Sequence, residues 1–135
     1  MNANVDTRRA IRRLTLAAWG LVLLAGCEQS PAPATADPDA AQQTLDRALG
    51  AWIKGDTVEG LKAASPSLVV GEPKWRRGDK LSKYEVQGSS KPSGAQREFR
   101  VKLWLTDAKG KASQETVTYH VGVSPIQVVA RPMFE

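Results

Sequence analysis

The sequence has one cysteine, Cys27, and one histidine, His120. A single thiol cannot form a disulfide within the chain, and one histidine without further cysteines provides no ligand cluster of the usual kind for a structural metal. The chain also lacks the glycine-rich motifs that hold phosphates or dinucleotides. These absences predict a domain that is stabilised by packing and that holds no metal and no cofactor.

The chain has no apolar run of the roughly 20 residues that a membrane-spanning helix requires. Near the N-terminus an apolar segment, Leu14–Leu24 (LTLAAWGLVLL), has eleven residues and follows four arginines between Arg8 and Arg13. A positively charged segment before a short apolar segment is the layout of an export signal. We therefore expect residues 1–26 to be a signal peptide that is removed.

The cysteine directly follows this segment, in Leu24-Ala25-Gly26-Cys27. This sequence resembles the lipobox of bacterial lipoproteins, which implies that Cys27 carries a diacylglyceryl group and begins the mature chain. A buried core thiol is the alternative, but a Pro-rich segment rather than a core follows Cys27. Because one acyl chain binds membranes only marginally, we expect two or three chains, palmitate among them. Glu28 is not the aspartate that retains enterobacterial lipoproteins in the inner membrane, so the resemblance implies the outer membrane, facing the periplasm.

The charge of the whole chain, +5, comes mostly from the predicted signal. Four of the 19 basic and one of the 14 acidic residues precede Cys27, which leaves 15 basic and 13 acidic residues in the mature chain. Basic and acidic residues alternate there as on a solvated surface. The composition therefore argues against nucleic acid as a partner, and the membrane is the partner that the lipid implies.

Residues 28–38 (EQSPAPATADP) contain three prolines and no large apolar side chain. Such a segment cannot bury enough surface to offset the entropy lost on ordering. We expect residues 27–38 to be the lipidated cysteine and a flexible tether, and residues 39–135 to form one small domain.

The start of the domain has a helical pattern. Pro38 suits the first position of a helix, and Leu45, Leu49, Trp52 and Ile53 share one face of it. Gly55 is placed to end this helix. The sequence Asp56-Thr57-Val58-Glu59 then has the form of a capping box that begins a short second helix through Leu61 to Ala64.

From Lys80 the period of the pattern changes to two, which predicts strands in LSKYEVQG, REFRVKLWLTD, ETVTYHVGV and IQVVARPMF, with a mobile loop over residues 88–95. The sequence Ala108-Lys109-Gly110 suits a three-residue hairpin loop, because its last residue needs a positive φ. Placing Asp107 opposite Lys111 pairs apolar residues on one face: Val101 with Val117 and Phe99 with Tyr119. On the other face it pairs Arg100 with Thr118 and Glu98 with His120.

Together these elements predict an α+β fold, with an N-terminal helix and a short second helix packed on a curved antiparallel sheet of about four strands. The order of elements is similar to NTF2-like and cystatin-like domains. Residues 74–86 (KWRRGDKLSKYEV) also resemble a pattern in short lipoproteins of uncharacterised function. That resemblance spans residues 40–131 and implies no active site.

Two stretches have candidate binding residues. Trp104 lies beside Arg100, Lys102 and His120 on the face predicted to point away from the helix, where an exposed aromatic side chain would mark a contact surface. Trp75, followed by Arg76 and Arg77, would either contact a sugar or an anionic polymer or fill the end of the core. For His120 the alternatives are a general base and a surface histidine paired with Glu98.

These observations predict an envelope lipoprotein that is not an enzyme and acts as a binding or structural module, with an envelope protein or polymer as its partner. The alternative is a small NTF2-like enzyme that uses a cavity between helix and sheet, with His120, Asp46 or Glu85 as its base. A filled core favours the first and a polar-lined cavity favours the second.

Overall fold

The structure of the protein is a computed structural model that describes residues 34–133. The predicted signal peptide, Cys27 and most of the predicted tether lie outside the described residues. The helices are α1 (Pro38–Lys54), α2 (Val58–Ala63) and α3 (Pro73–Arg76). The strands are β1 (Leu68–Gly71), β2 (Lys80–Ser93), β3 (Gln96–Thr106), β4 (Ala112–Gly122) and β5 (Gln127–Ala130).

Helix α1 has the bounds that the sequence predicts. The Asp37 carboxylate accepts hydrogen bonds from the backbone N–H groups of Asp39 and Ala40, and Gly55 ends the helix with φ +87°. The prediction that Ile53 packs on the sheet is wrong, because its side chain is 43% exposed. Trp52 is buried and occupies the end of the core instead.

The segment after α1 contains two elements that the sequence pattern did not indicate, β1 and α3. Thr57, rather than Asp56, caps α2, because its hydroxyl accepts a hydrogen bond from the backbone N–H of Gly60. Glu72 caps the single turn of α3 through Lys74 N–H in the same way.

The sheet has five strands in the order β1-β5-β4-β3-β2 and is mixed. The expected strand count of four and the expected all-antiparallel pairing are both wrong, because β1 pairs with β5 in the parallel direction, from Leu68 opposite Gln127 to Gly71 opposite Ala130. The four residues of β1 are too few to show an alternation of period two. The coarser prediction of an α+β fold is confirmed.

The prediction of a loop over residues 88–95 is wrong, because the loop is much shorter. Strand β2 continues to Ser93, and only Gly94 and Ala95 separate it from β3. The register of β2 against β3 shifts between Leu81 and Lys83 and again between Gln87 and Lys91, and pairing with β3 resumes over residues 91–93.

The β3–β4 register is the predicted one. Val101 pairs with Val117, Phe99 with Tyr119, and Arg100 with Thr118. Gly110 has φ +84° in the connecting turn, where the backbone N–H of Asp107 donates to Lys111 at 3.0 Å. The core lies between α1 and the apolar sheet face formed by Leu81, Phe99, Val101, Leu103, Leu105, Val117, Tyr119, Val121 and Val129.

The first described residues are bonded to the turn between β2 and β3. The backbone N–H of Ala36 donates to the carbonyl of Ala95 at 3.0 Å, and the hydroxyl of Thr35 donates to the carbonyl of Gly94 at 2.8 Å. Within residues 34–133, the hydrogen bonds to the domain therefore begin at Thr35, inside the segment predicted to be a tether.

Candidate binding face

The two faces of the sheet differ in burial. Between Phe99 and Leu105 of β3, and between Val117 and Val121 of β4, the odd-numbered residues are buried in the core, and the even-numbered residues are half-buried or exposed. We call the second surface the open face. Its charged and aromatic side chains and one threonine on the three strands β2–β4 include Lys83, Glu85, Glu98, Arg100, Lys102, Trp104, Thr118 and His120.

Trp104 lies between two lysines on the open face. The Lys83 Nζ is 4.7 Å from the centre of the Trp104 ring, and the Lys102 Nζ is 5.0 Å from it. Lys83 is the residue of β2 directly opposite Trp104, and Lys102 lies two positions before Trp104 on β3. Each ammonium at an exposed site stabilises this arrangement by about 0.5–1 kcal/mol. The half-buried indole therefore sits in a positively charged setting.

Arg100 and His120 lie further along the same face. Arg100 is exposed and stands between Gln87 of β2 and Thr118 of β4 in the register. The His120 Nε2 is 3.8 Å from the Glu98 Oε1, which makes this a loose pair with both side chains partly exposed. The structure thus brings Trp104, Lys102, Arg100 and His120 to one face, whereas their role in binding stays a prediction.

A concave region of about 470 Å³ adjoins Arg100 on the open face, and we call it the trough. It spans three strands, because residues of β2, β3 and β4 all line it. Its polar and charged side chains are Gln87, Ser89, Lys91, Glu98, Arg100, Thr116 and Thr118.

Trp75 belongs to the core. Its ring stacks on Trp52 of α1 with the ring centres 5.2 Å apart, and it is 8% exposed. Its indole N–H donates to the backbone carbonyl of Asp56 at 3.0 Å, and that of Trp52 donates to the carbonyl of Asp79 at 2.8 Å. A cleft of about 290 Å³ lies beside the pair.

The arginines that follow Trp75 are exposed and have partners near α3. Arg77 forms an ion pair with Asp79 at 3.0 Å, and the hydrogen bond to this carboxylate raises the pKa of Arg77. The Arg76 Nη2 donates to the backbone carbonyl of Val70 at 3.3 Å. The structure therefore keeps Trp75, Arg76 and Arg77 in the segment that closes the end of the core, and it does not place them with the residues of the open face.

A buried polar network that the sequence did not indicate connects α3 and its capping residue with β4 and with Arg131, which follows β5. Glu72 is 1% exposed and accepts a hydrogen bond from the Tyr119 hydroxyl at 2.5 Å. Burial and the Glu72 carboxylate raise the pKa of Tyr119. Arg131 approaches Glu72 at 3.4 Å and donates to Glu115 at 2.6 Å, and Lys74 contacts Glu115 at 2.7 Å. The network joins Arg131, directly after β5, to α3. Buried ionic groups such as these require partners of opposite charge.

The two other carboxylates considered as bases have different surroundings. Asp46 of α1 is half-buried and accepts hydrogen bonds from the Tyr84 hydroxyl at 2.7 Å and from Gln42 at 3.1 Å. Glu85 is exposed, and it lies on β2 opposite Lys102. Asp46 is therefore held by a tyrosine at the edge of the core rather than placed in open solvent.

Sequence reasoning missed Lys83 and the trough, and the cause is the same for both. Assigning residues 88–95 to a loop left β2 without a register, so neither the residue opposite Trp104 nor the wall beside Arg100 was visible. The alternation in β2 contains the signal that finds Lys83. Tyr84 and Val86 are on the core side, so the neighbouring Lys83 is on the open face, and pairing β2 with β3 places it opposite Trp104.

None of the helices within residues 34–133 has the length and apolar character needed to cross a membrane. In the same range, no three His, Cys, Asp or Glu side chains are grouped as a metal site requires. Comparison of the chain with protein-family models, with curated proteins and with solved structures gives no match.

Proposed function

We propose that this protein is an envelope lipoprotein, attached through Cys27 to the periplasmic side of the outer membrane, whose domain is a non-catalytic module that contacts an envelope protein or polymer through the open face. The observation that carries the binding part is the position of Trp104 between Lys83 and Lys102 on a sheet face that the core does not use. The attachment rests on the lipobox resemblance around Cys27.

The packing of the domain supports a module of this kind. Leu45, Leu49 and Trp52 of α1 are at most 3% exposed and lie in one core cluster with Phe99 and Leu103 of the sheet. A small-molecule enzyme of the NTF2-like kind needs a polar-lined cavity in this space, and apolar side chains occupy it here. We keep an NTF2-like or cystatin-like relationship as part of the proposal, on the support of one long helix packed against an open sheet.

The chemistry of the open face supports contact with a partner. Aromatic and arginine side chains dominate binding energies at interfaces, and truncation of such an anchor commonly costs about 2 kcal/mol or more. Trp104 and Arg100 are side chains of this kind, and Lys83 and Lys102 add charge that speeds encounter with an acidic partner.

Site-specific photo-crosslinking in cells tests the proposal. A photoreactive residue at Thr116, exposed on the open face, should capture a partner. The same residue at Gln43, exposed on α1, is the matched control and should capture nothing. Trp104→Ala should abolish capture from Thr116 while unfolding stays cooperative.

Two results would contradict this assignment. Capture at Gln43 but not at Thr116 would place the contact on the surface of α1 instead of the open face. Loss of cooperative unfolding in Trp104→Ala would show that Trp104 is a core residue. The double variant Lys83→Gln, Lys102→Gln would then test the face without removing the ring.

A further inference from the structure

The trough has its shape because β2 carries extra residues where it passes Phe99. Gln87 lies opposite Arg100 and Lys91 lies opposite Glu98, so residues 88–90 of β2 occupy the space opposite one residue of β3. Gly88 takes φ +69° at this point, a backbone conformation that glycine adopts without strain. Bulges bend a strand and redirect its side chains, and they often lie beside functional sites.

The side chains of the trough are suited to a polar ligand with negative charge. Hydroxyl groups of Ser89, Thr116 and Thr118, with the amide of Gln87, provide neutral donors and acceptors. Lys91 and Arg100 provide two cations, and both are exposed. The one carboxylate of the trough, Glu98, lies beside His120.

The trough continues into the surface around Trp104. Arg100, Lys102 and Trp104 follow one another on the same face of β3, so the distance from Glu98 to Trp104 along the strand is roughly 20 Å at about 3.4 Å per residue. A ligand in contact with both ends is an extended chain rather than a single small molecule.

We infer that the open face binds a strand of an acidic polysaccharide, which lies in the trough and extends to Trp104; this inference rests on the proposed function. Its carboxylates contact the Arg100 guanidinium, which binds a carboxylate through two parallel hydrogen bonds, and the ammonium groups of Lys91 and Lys102, which act as point charges. Its hydroxyl groups bond the threonines and Gln87, and its last sugar contacts the indole edge of Trp104.

The shape and composition of this surface favour a polysaccharide over a lipid bilayer. A membrane surface is met by a convex or flat patch with apolar side chains that enter the acyl region. The trough is concave, and the exposed large apolar side chains of residues 34–133, which are Ile53, Ile126 and Met133, do not line it.

Binding of polygalacturonate, a linear polymer with one carboxylate on each sugar, tests the inference. The full-length lipidated protein is held in neutral phosphatidylcholine vesicles, and polymer that sediments with the vesicles is measured. We expect binding of polygalacturonate and none of neutral dextran. Arg100→Gln and Lys91→Gln should each weaken binding about tenfold, the loss expected for one charge-assisted hydrogen bond. Lys109→Gln, at an exposed position in the β3–β4 turn, is the matched control and should bind as the wild type does.

Three results would overturn the inference. Equal binding of dextran would show that the carboxylates of the polymer do not contribute to binding. An equal loss in Lys109→Gln would show that total charge, and not the trough, causes binding. Preferential binding of the protein to anionic phosphatidylglycerol vesicles over neutral phosphatidylcholine vesicles, lost in Arg100→Gln and Lys91→Gln, with no binding of polygalacturonate would identify a lipid surface as the ligand.

The binding experiment and the crosslinking experiment together distinguish failure of this inference from failure of the proposed function. If polygalacturonate does not bind but the photoreactive residue at Thr116 still captures a partner, the open face is a docking surface for a protein and the polysaccharide is wrong. If neither binding nor capture occurs, both proposals are wrong.

Discussion

Trp52 and Trp75 stack face to face, with ring centres 5.2 Å apart and planes 4° apart. The two residues come from different helices, because Trp52 lies in the last turn of α1 and Trp75 in the single turn of α3. Each indole N–H donates to the backbone carbonyl of the residue four positions after the other tryptophan, Asp79 for Trp52 and Asp56 for Trp75. The pair therefore holds α3 and the residues after it against the end of the core.

Trp75→Ala should destabilise the domain strongly. The substitution removes the stacked ring, leaves a cavity beside Trp52 and deletes one buried hydrogen bond, and a change of this kind lowers the free energy of unfolding by about 3–5 kcal/mol. Urea unfolding of the full chain measures it. The matched control is Trp104→Ala on the open face, which we expect to cost about 1–2 kcal/mol, because it removes the contacts with two lysine ammonium groups. Similar losses for both tryptophans would contradict the assignment of Trp75 to the core and Trp104 to the surface.

Tyr84 should titrate well above an ordinary tyrosine. Partial burial, with a hydrogen bond to the Asp46 carboxylate, raises the pKa of Tyr84 to about 12. The ordinary value in an unfolded chain is about 10. Because the folded chain holds this proton more tightly, the stabilisation is fully present below about pH 10 and is lost as the pH rises towards 12.

The ultraviolet absorbance of the phenolate measures this titration, and Tyr84→Phe identifies its share, since the chain has two tyrosines. Asp46→Asn should lower the pKa of Tyr84 only in part, because burial remains its larger cause. Asp39→Asn, exposed in the first turn of α1, is the control that should leave the titration unchanged. A Tyr84 that titrates near 10 in the folded wild type would contradict the contact with Asp46.

The parts of the fold that the sequence predicts are those in which local signals agree. Asp37, Pro38 and Gly55 mark the ends of α1, and Gly110 sets the turn that fixes the β3–β4 register. Each of these residues acts on the backbone within a few positions of itself. The turn and the alternation of period two together place Arg100, Lys102, Trp104 and His120 on one face.

The parts that the sequence did not predict depend on partners that are distant in the chain. Strand β1 is stabilised as a strand by parallel pairing with β5, almost 60 residues later. The end of β2 has weak strand propensity, and its residues 91–93 pair with β3 after the bulge at residues 88–90 because β3 lies beside them. Ile53 has the helical spacing of a core residue but lies at the edge of the stripe, where Trp52 takes the contact. Propensity could not reveal these outcomes, because tertiary pairing decides each of them.

Cys27 should be the site of lipid attachment. Cells grown with labelled palmitate should incorporate the label into the wild-type chain, and the protein should fractionate with membranes. Cys27→Ser removes the only thiol, so it should lose the label and retain the uncleaved signal. Equal labelling of the wild type and of Cys27→Ser would contradict the lipobox assignment.

Glu115 should make the domain sensitive to acid. Partial burial alone would raise the pKa of Glu115, but hydrogen bonds from Lys74 and Arg131 outweigh it, so the pKa lies below its ordinary value. A carboxylate of this kind stabilises the folded state fully above its unfolded pKa, about 4.3, and this contribution is lost as the pH falls through the lower folded pKa. Glu115→Gln should therefore lower the melting temperature clearly at pH 7 and much less near pH 3. Glu85→Gln, at an exposed position of β2, is the matched control and should change little at either pH. A loss in Glu115→Gln that is the same at both pH values would show that Glu115 acts through packing, and that its charge does not stabilise the junction between α3 and Arg131.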